Sequence, residues 1–126
     1  MHDFRKLEVW KKSRSLVSDI YIRANQLPKE EVFGLTSQIK RSAVSIPSNI
    51  AEGCGRGTNK QLTYHLDIAL GSAFELETQI LLASDLNYLN TADSEKLVLQ
   101  IQEIIKMIIG LKKTIKEKVL VLATLI

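Results

Sequence analysis

The sequence predicts an all-helical fold, an antiparallel up-down-up-down four-helix bundle. Apolar residues recur at helical three-four spacing in four long segments. The connections between these segments are short and carry proline, glycine or asparagine, and no segment shows the strict alternation of a strand. A chain of 126 residues that is 45% apolar and 25% charged is large enough for one domain with a sizeable core.

We expect the first helix to begin near Asp3, whose side chain can cap it, and to end near Gln26. Its predicted core face consists of apolar residues at about 100° per residue, namely Leu7, Trp10, Val17, Ile20, Tyr21 and Ala24. Pro28 ends this helix because proline disfavours helical geometry in the residue before it. The same proline suits the first position of a second helix.

The second helix is predicted to end at Gly53 and to contain Pro47. Because that proline removes one backbone hydrogen bond and crowds the preceding turn, we expect a kink there. The core face of this helix is predicted from another apolar stripe, Val32, Leu35, Ile39, Ala43, Ile46 and Ile50.

The third helix has the clearest pattern. Thr58 and Gln61 have the spacing of a capping box. The residues that follow form a heptad seam: Leu62, Leu66, Ala69, Ala73, Leu76, Ile80 and Ala83. A second apolar row of Leu70, Phe74 and Leu81 widens the apolar arc to about half of the circumference, more than a helix facing only its own bundle requires.

Asn87 is expected to close the third helix, and Asn90, Thr91 and Asp93 offer a turn and a new cap. The core stripe of the fourth helix is Leu97, Ile101, Ile104, Ile108, Leu111 and Ile115. Lys112 falls inside this stripe, so either its stem snorkels to solvent or the packed part ends near it.

We assign residues 1–118 to the bundle and residues 119–126 to an apolar C-terminal extension. The extension is predicted to continue the helix onto a neighbouring subunit or to form a frayed tail, and a membrane-surface anchor behind the nearby lysines is the alternative. No stretch is long enough for a transmembrane helix, and the start lacks the apolar run of a secretory signal. A single cysteine cannot form an internal disulfide, so we expect a cytoplasmic protein without a membrane partner.

Residues that could carry chemistry do not form a catalytic pattern. Neither histidine belongs to a zinc or di-iron motif. Cys54 lies near Arg56, which could lower a thiol pKa, but no histidine partner is close in sequence. Glu75 and Glu77 are two residues apart and point to different sides of a helix. We therefore expect no enzyme activity, no cofactor and no metal site.

The turn at residues 53–57, GCGRG, lacks the preceding strand and the GKS or GKT ending of a nucleotide-binding loop. Its glycines could still expose backbone N–H groups to an anion, although they could equally serve only a tight reversal. A net charge of +3 is a weak indication of nucleic acid. The candidate phosphate contacts are Lys11, Lys12, Arg14, Lys40, Arg56 and Lys60, together with the lysines of the fourth helix.

The polar side of the second helix carries mostly small hydroxyls and amides, whereas a solvent face is usually dominated by Lys and Glu. Such a side permits close approach of another helix, and a merely solvated face is the alternative. Glu77, between two apolar rows, is a candidate to neutralise a buried cation. The predicted subunit or helix contacts are Gln38, Arg41, Ser45, Asn49, Glu52, Leu70, Phe74, Glu77 and Leu81.

Three segments carry a family resemblance: FRKLEVW, LPKEEVFGLTSQIKRSAVSIPSNIAEGCGR and IALGSAFELETQILLASDLNYL. Together they resemble the 23S rRNA intervening-sequence proteins over about residues 4–118, and the terminal VLVLATLI departs from that family. The resemblance implies an antiparallel bundle that assembles as a homopentameric ring. Accessory proteins of diversity-generating retroelements are similar in fold and are associated with nucleic acid. Positions that match the family's recurring polar or small residues are Gln38, Arg41, Asn49, Glu52, Gly53, Arg56, Gly71, Ser72 and 75–77.

The leading functional hypothesis is a non-enzymatic homo-oligomer that binds RNA or DNA through phosphate contacts. Few aromatic residues are available for base stacking, so we expect weak sequence preference. A ring would also multiply the modest charge of one chain. The alternative is a protein-interaction scaffold that docks a partner protein, with nucleic acid incidental.

Overall fold

The computed structural model describes residues 3–125, and within that range it contains helices and no strand. The four long elements are α1 (Glu8–Ala24), α2 (Leu35–Gly55), α3 (Asn59–Asp85) and α4 (Thr91–Leu125). Short 3₁₀ turns at Phe4–Lys6 and Lys29–Glu31 precede α1 and α2. The α2 helix packs on α1 and α3, and α4 packs on the same two helices, so the chain encloses one core as a four-helix bundle.

All four helices contribute large aliphatic side chains to the core. Those with less than 2% exposure are Leu16, Ile20, Ile39, Ile46, Ile50, Leu66, Leu76, Ile80, Ile101, Ile104 and Ile108. Burying one such side chain contributes roughly 1.5–3 kcal/mol, which makes this core the main source of stability. The seven predicted seam residues of α3 are all buried, and the predicted stripe of α4 is buried except for half-buried Leu111.

The buried face of α1 is rotated from the predicted one. It centres on Val9, Ser13 and Leu16, and the placement of Tyr21 in the core was wrong, since that ring is 41% exposed. The two aromatic residues of the helix lie at the edge of the core face, where a ring can cover apolar neighbours and keep contact with water. Ser13 is fully buried because its hydroxyl donates to the Trp10 carbonyl oxygen at 3.0 Å.

Two helices begin later than predicted. The Asp3 side chain does act as a cap, accepting from the Arg5 backbone N–H at 3.1 Å, but it caps a 3₁₀ turn and α1 begins only at Glu8. After Pro28 the chain again forms a 3₁₀ turn, and α2 begins at Leu35. Val32 therefore precedes α2 and is 51% exposed, so its assignment to the core stripe was wrong.

The α2 helix passes through Pro47 and ends at Gly55, two residues beyond the predicted end. Gly53 therefore lies inside the helix, at a point where α2 packs closely on α3. A Cβ atom there would lie 2.9 Å from the His65 Cβ atom and 3.1 Å from the Leu62 Cδ1 atom of α3. The reversal itself depends on Gly57, whose φ of 87° lies in the left-handed region that glycine adopts readily.

The predicted caps at the two ends of α3 and at the start of α4 are confirmed. The Thr58 hydroxyl oxygen accepts from the Gln61 backbone N–H at 3.1 Å. Asn87 has a φ of 61°, a left-handed conformation that asparagine tolerates better than most residues. The Asn90 side-chain oxygen accepts from the Asp93 N–H at 2.8 Å just before α4. These short-range bonds satisfy donors that a helix start leaves without partners.

The α4 helix continues as far as Leu125. In the predicted extension, Val119 is 44% exposed, whereas the side chains of residues 120–123 and 125 and the whole of residue 126 lie outside the described part. Within the described residues, α4 and the other helices are not long and apolar enough to cross a membrane.

Candidate functional site

A groove of about 730 Å³ opens between the start of α3 and the C-terminal half of α4. Residues on both helices line it: Asn59, Lys60, Thr63, Lys112, Lys113, Ile115, Lys116 and Val119. We call this feature the lysine groove. Buried Ile115 and partly exposed Val119 give it an apolar element between four ammonium groups.

Three of the four ammonium groups in the lysine groove form no ion pair within the described residues. Lys112 forms an ion pair with Asp67 of α3. Lys60, Lys113 and Lys116 pair with no carboxylate in residues 3–125. The first-turn N–H groups of α3 add a partial positive charge at the same end of the groove. A concave surface on which ammonium groups outnumber carboxylates has a field that favours anions.

The position of Lys112 resolves the alternatives left by the apolar stripe. Its side chain is 29% exposed, and its ammonium group reaches out of the α4 core face to Asp67. The core does not end there, because Ile115, almost one turn further on, is only 5% exposed. The stem of Lys112 therefore snorkels along apolar surface.

The six basic residues named from the sequence do not form one cluster. Three are in ion pairs, namely Lys11 with Glu8 (3.3 Å), Lys12 with Glu103, and Arg56 with Glu52 (3.1 Å). Two lie over aromatic rings, namely Arg14 over Trp10 (5.4 Å) and Lys40 over Tyr21 (5.0 Å). The structure brings only Lys60 together with lysines of α4. Asn59 and Thr63 were not singled out from the sequence, since nothing local marks them as facing α4.

The polar side of α2 faces α3 of the same chain over part of its length. The Ser72 hydroxyl donates to the Ser45 hydroxyl oxygen at 2.8 Å, and Ser42 donates to a Glu75 carboxylate oxygen at 3.2 Å. Small side chains at these positions let the helix backbones approach closely. The two helix backbones also approach closely at Gly53 of α2, next to His65 of α3.

His65 continues this polar contact towards the end of α2. It is 6% exposed, with its Nδ1 atom 3.2 Å from the Asn49 side-chain oxygen and its Nε2 atom 3.6 Å from a Glu52 oxygen. Asn49 in turn donates to the Ser45 carbonyl oxygen at 2.9 Å. His65 is therefore a buried packing residue with a polar atom near each ring nitrogen.

The remaining polar contact candidates, Gln38 and Arg41, line a cleft of about 240 Å³ between α2 and α3. The other lining residues are Ser42, Ser45, Ser72, Glu75 and Gln79. The Gln79 side-chain oxygen is buried and accepts no hydrogen bond from the described part of the chain. All seven lining residues are of polar type, whereas the lysine groove also includes Ile115 and Val119.

The second apolar row of α3 is only partly covered. Leu70 is half-buried against the core, whereas Phe74 is 51% and Leu81 is 47% exposed. Leu81 also lines a groove of about 400 Å³ with α4 residues that include Leu99, itself 67% exposed. Glu77 is half-buried and pairs with no cation in residues 3–125, so the expected buried cation is not within this part of the chain.

The thiol of Cys54 is in the wrong environment for a nucleophile. Burial raises the pKa of the Cys54 thiol, contrary to the lowering by Arg56 that the sequence suggested. The Arg56 guanidinium instead pairs with Glu52. Among the described residues, no three histidine, cysteine, aspartate or glutamate side chains are placed together to hold a metal ion.

The fold defines a helical-bundle protein whose helices are joined by short connections. Within that class, the chain belongs to the family of 23S rRNA-intervening sequence proteins, whose model matches residues 5–110. It is similar to a crystal structure from Bacteroides thetaiotaomicron, a protein of unknown function from the S23 ribosomal protein family. The two are 28% identical with a TM-score of 0.78, over 83% of this chain and 98% of the other. A comparison with curated proteins finds no match.

Proposed function

We propose that this protein is a non-enzymatic, cytoplasmic homo-oligomer that binds RNA or DNA through phosphate contacts. The lysine groove is the observation that carries the proposal. Three ammonium groups without carboxylate partners face a shared concave surface, and phosphate oxygens are the anions that nucleic acids present at regular spacing. The family name refers to 23S rRNA, so RNA is the first nucleic acid to test.

Exposed apolar surface supports the assembly part of the proposal. Phe74 and Leu81 leave about half of their surface open to solvent, and Leu81 lines the groove that contains Leu99. Contiguous exposed apolar side chains commonly mark a protein interface. We propose that five copies form a ring through such contacts, so that five lysine grooves act on one polymer and strengthen binding through multivalency.

The proposal includes the antiparallel up-down-up-down arrangement of the four helices. The hydrogen bonds between α2 and α3 support this arrangement, because the residue numbers of the partners decrease along α2 as they increase along α3. The pairs are Asn49 with His65, Ser45 with Ser72 and Ser42 with Glu75. Native mass measurement tests the ring directly. A mass of five 14.2 kDa chains is expected, and a mass of one chain at micromolar concentration would reject the assembly.

Substitution of the lysine groove tests the binding part. The groove variant combines Lys60→Gln, Lys113→Gln and Lys116→Gln. A charge-matched control combines Lys29→Gln, Lys96→Gln and Lys106→Gln, three exposed lysines elsewhere on the chain. Fluorescence anisotropy of a labelled RNA at low salt gives the dissociation constant of each.

The groove variant is expected to bind RNA at least tenfold more weakly than the wild type. The control variant is expected to lose much less affinity. Equal losses in the two variants would mean that overall charge, rather than the groove, attracts the RNA. If the wild type binds neither RNA nor DNA at low salt, the proposal is rejected in favour of a protein partner.

A further inference from the structure

We infer that the lysine groove takes single-stranded rather than duplex nucleic acid. This inference rests on the proposed function and narrows its ligand. The groove carries apolar surface, and a site that contacts only phosphate does not need apolar surface. A duplex presents a continuous sugar-phosphate exterior, whereas a single strand also presents the flat faces of unstacked bases.

The groove places apolar atoms next to its ammonium groups. Val119 is 44% exposed within it, and Ile115 lies beneath at 5% exposure. The lysine stems at positions 113 and 116 border the same surface. A base that lies on this surface removes apolar area from water while its phosphate reaches an ammonium group. A site for phosphate alone gains nothing from Val119.

Tyr64 supplies an exposed aromatic surface next to Lys60, outside the residues that line the groove. It is 59% exposed on α3 and lies four residues after Lys60, so the two side chains are neighbours on one side of the helix. The ring contacts His65 edge to face, with ring centres 5.1 Å apart and planes at 82°. Buried His65 is itself held by Asn49, so this contact packs one edge of the Tyr64 ring against a buried residue and leaves more than half of the side chain open. An exposed ring beside a lysine suits a base that stacks next to a bound phosphate.

The aromatic content of the sequence suggested little base stacking, and the structure changes that view for one residue. Three tyrosines, three phenylalanines and one tryptophan are present, but Trp10 packs on Phe4, and Tyr21 lies beneath Lys40. Tyr64 is an exposed aromatic residue one turn from Lys60, which lines the lysine groove. The expected contribution is therefore one stacked base per chain, without strong preference among bases.

The experiment compares one labelled sequence of about 12 nucleotides as a single strand and as a duplex, a length within the site sizes of single-strand binders. Dissociation constants are measured by anisotropy at one salt concentration for the wild type, Tyr64→Ala and Tyr64→Phe. Phe33→Ala is the control, because Phe33 is 96% exposed in the connection before α2. Circular dichroism establishes that each variant is folded.

We expect the wild type to bind the single strand at least tenfold more tightly than the duplex. Tyr64→Ala is expected to lose roughly fivefold or more of single-strand affinity with an unchanged salt dependence, whereas Tyr64→Phe and Phe33→Ala keep it. Equal or tighter duplex binding, or an unchanged Tyr64→Ala, would overturn the inference and leave the proposed function standing. Failure of both nucleic acids to bind would reject the proposed function itself.

A second measurement uses the wild-type protein. A single strand that contains 5-iodouridine is irradiated in the complex, and the crosslinked residue is identified by peptide mass spectrometry. A crosslink at Tyr64 supports the inference. Crosslinks only at tyrosines or phenylalanines away from the groove contradict it, whether or not Tyr64→Ala is stable.

Discussion

Replacing Gly53 with alanine tests the close contact between α2 and α3. The added Cβ atom would lie 2.9 Å from the His65 Cβ atom and 3.3 Å from the Leu62 Cα atom. One neighbour is backbone and the other is the first carbon of a buried side chain, so neither can move without shifting α3. Overpacking of this kind costs about 1–3 kcal/mol.

Helix propensity acts in the opposite direction. Alanine is favoured over glycine by roughly 1 kcal/mol in a helix interior, and by less near the helix end where Gly53 lies. The overlap should prevail, because a small shift of α3 also lengthens the hydrogen bond between Asn49 and His65. The expected net effect on the free energy of unfolding is a loss of about 1–2 kcal/mol.

Urea unfolding followed by circular dichroism, at one protein concentration, gives the free energy of unfolding. Gly110→Ala is the matched control, because a Cβ atom there meets nothing within 4 Å. That variant is expected to gain about 0.5–1 kcal/mol from helix propensity alone. If Gly53→Ala is stabilised as much as Gly110→Ala, the two helices are not in the close contact described above.

Three further predictions concern a cap, the assembly and the thiol. Thr58→Ala removes the acceptor for the Gln61 N–H and should lower the free energy of unfolding by about 1 kcal/mol in the same urea assay, and an unchanged midpoint would show that the cap is dispensable. Phe74→Glu places a charge on the exposed apolar row and should reduce the native mass towards that of one chain, whereas an unchanged mass would place the interface elsewhere. Since burial raises the pKa of the Cys54 thiol, the unfolded chain loses this proton at lower pH than the folded chain, so stability should fall as pH rises above roughly 8.5. Cys54→Ala should reduce that fall in stability. If the free energy of unfolding changes with pH equally in the variant and the wild type, the fall does not come from the Cys54 thiol.

Features set by short-range chemistry could be predicted from the sequence. The α3 seam follows from a heptad pattern of strongly apolar residues, and all seven positions are buried. The caps at Thr58 and Asn90 depend on partners three residues away, so the sequence contains both members of each bond. The α1 face was less predictable, because Trp10 and Tyr21 have rings that suit either the core or its edge.

Features that depend on how helices face one another could not be predicted. Lys60 and Lys116 come together only because the start of α3 lies against the end of α4. Gly53 resembled a helix terminator, and its contact with His65 depends on the separation of α2 and α3. Lys12 pairs with Glu103 of α4, which no local pattern assigned to it. The pairs of Lys11 with Glu8 and of Arg56 with Glu52 join residues three and four apart, so they were within reach of the sequence.

The salt dependence of RNA binding tests the central claim most directly. The dissociation constant of the wild type is measured across a series of salt concentrations, and the logarithm of the association constant is plotted against that of the salt concentration. Each phosphate contact contributes about −0.7 to the slope for a single strand, so the three lysines without carboxylate partners predict a slope of roughly −2 per groove. A slope near zero, or no binding at low salt, would contradict the assignment of the lysine groove to phosphate.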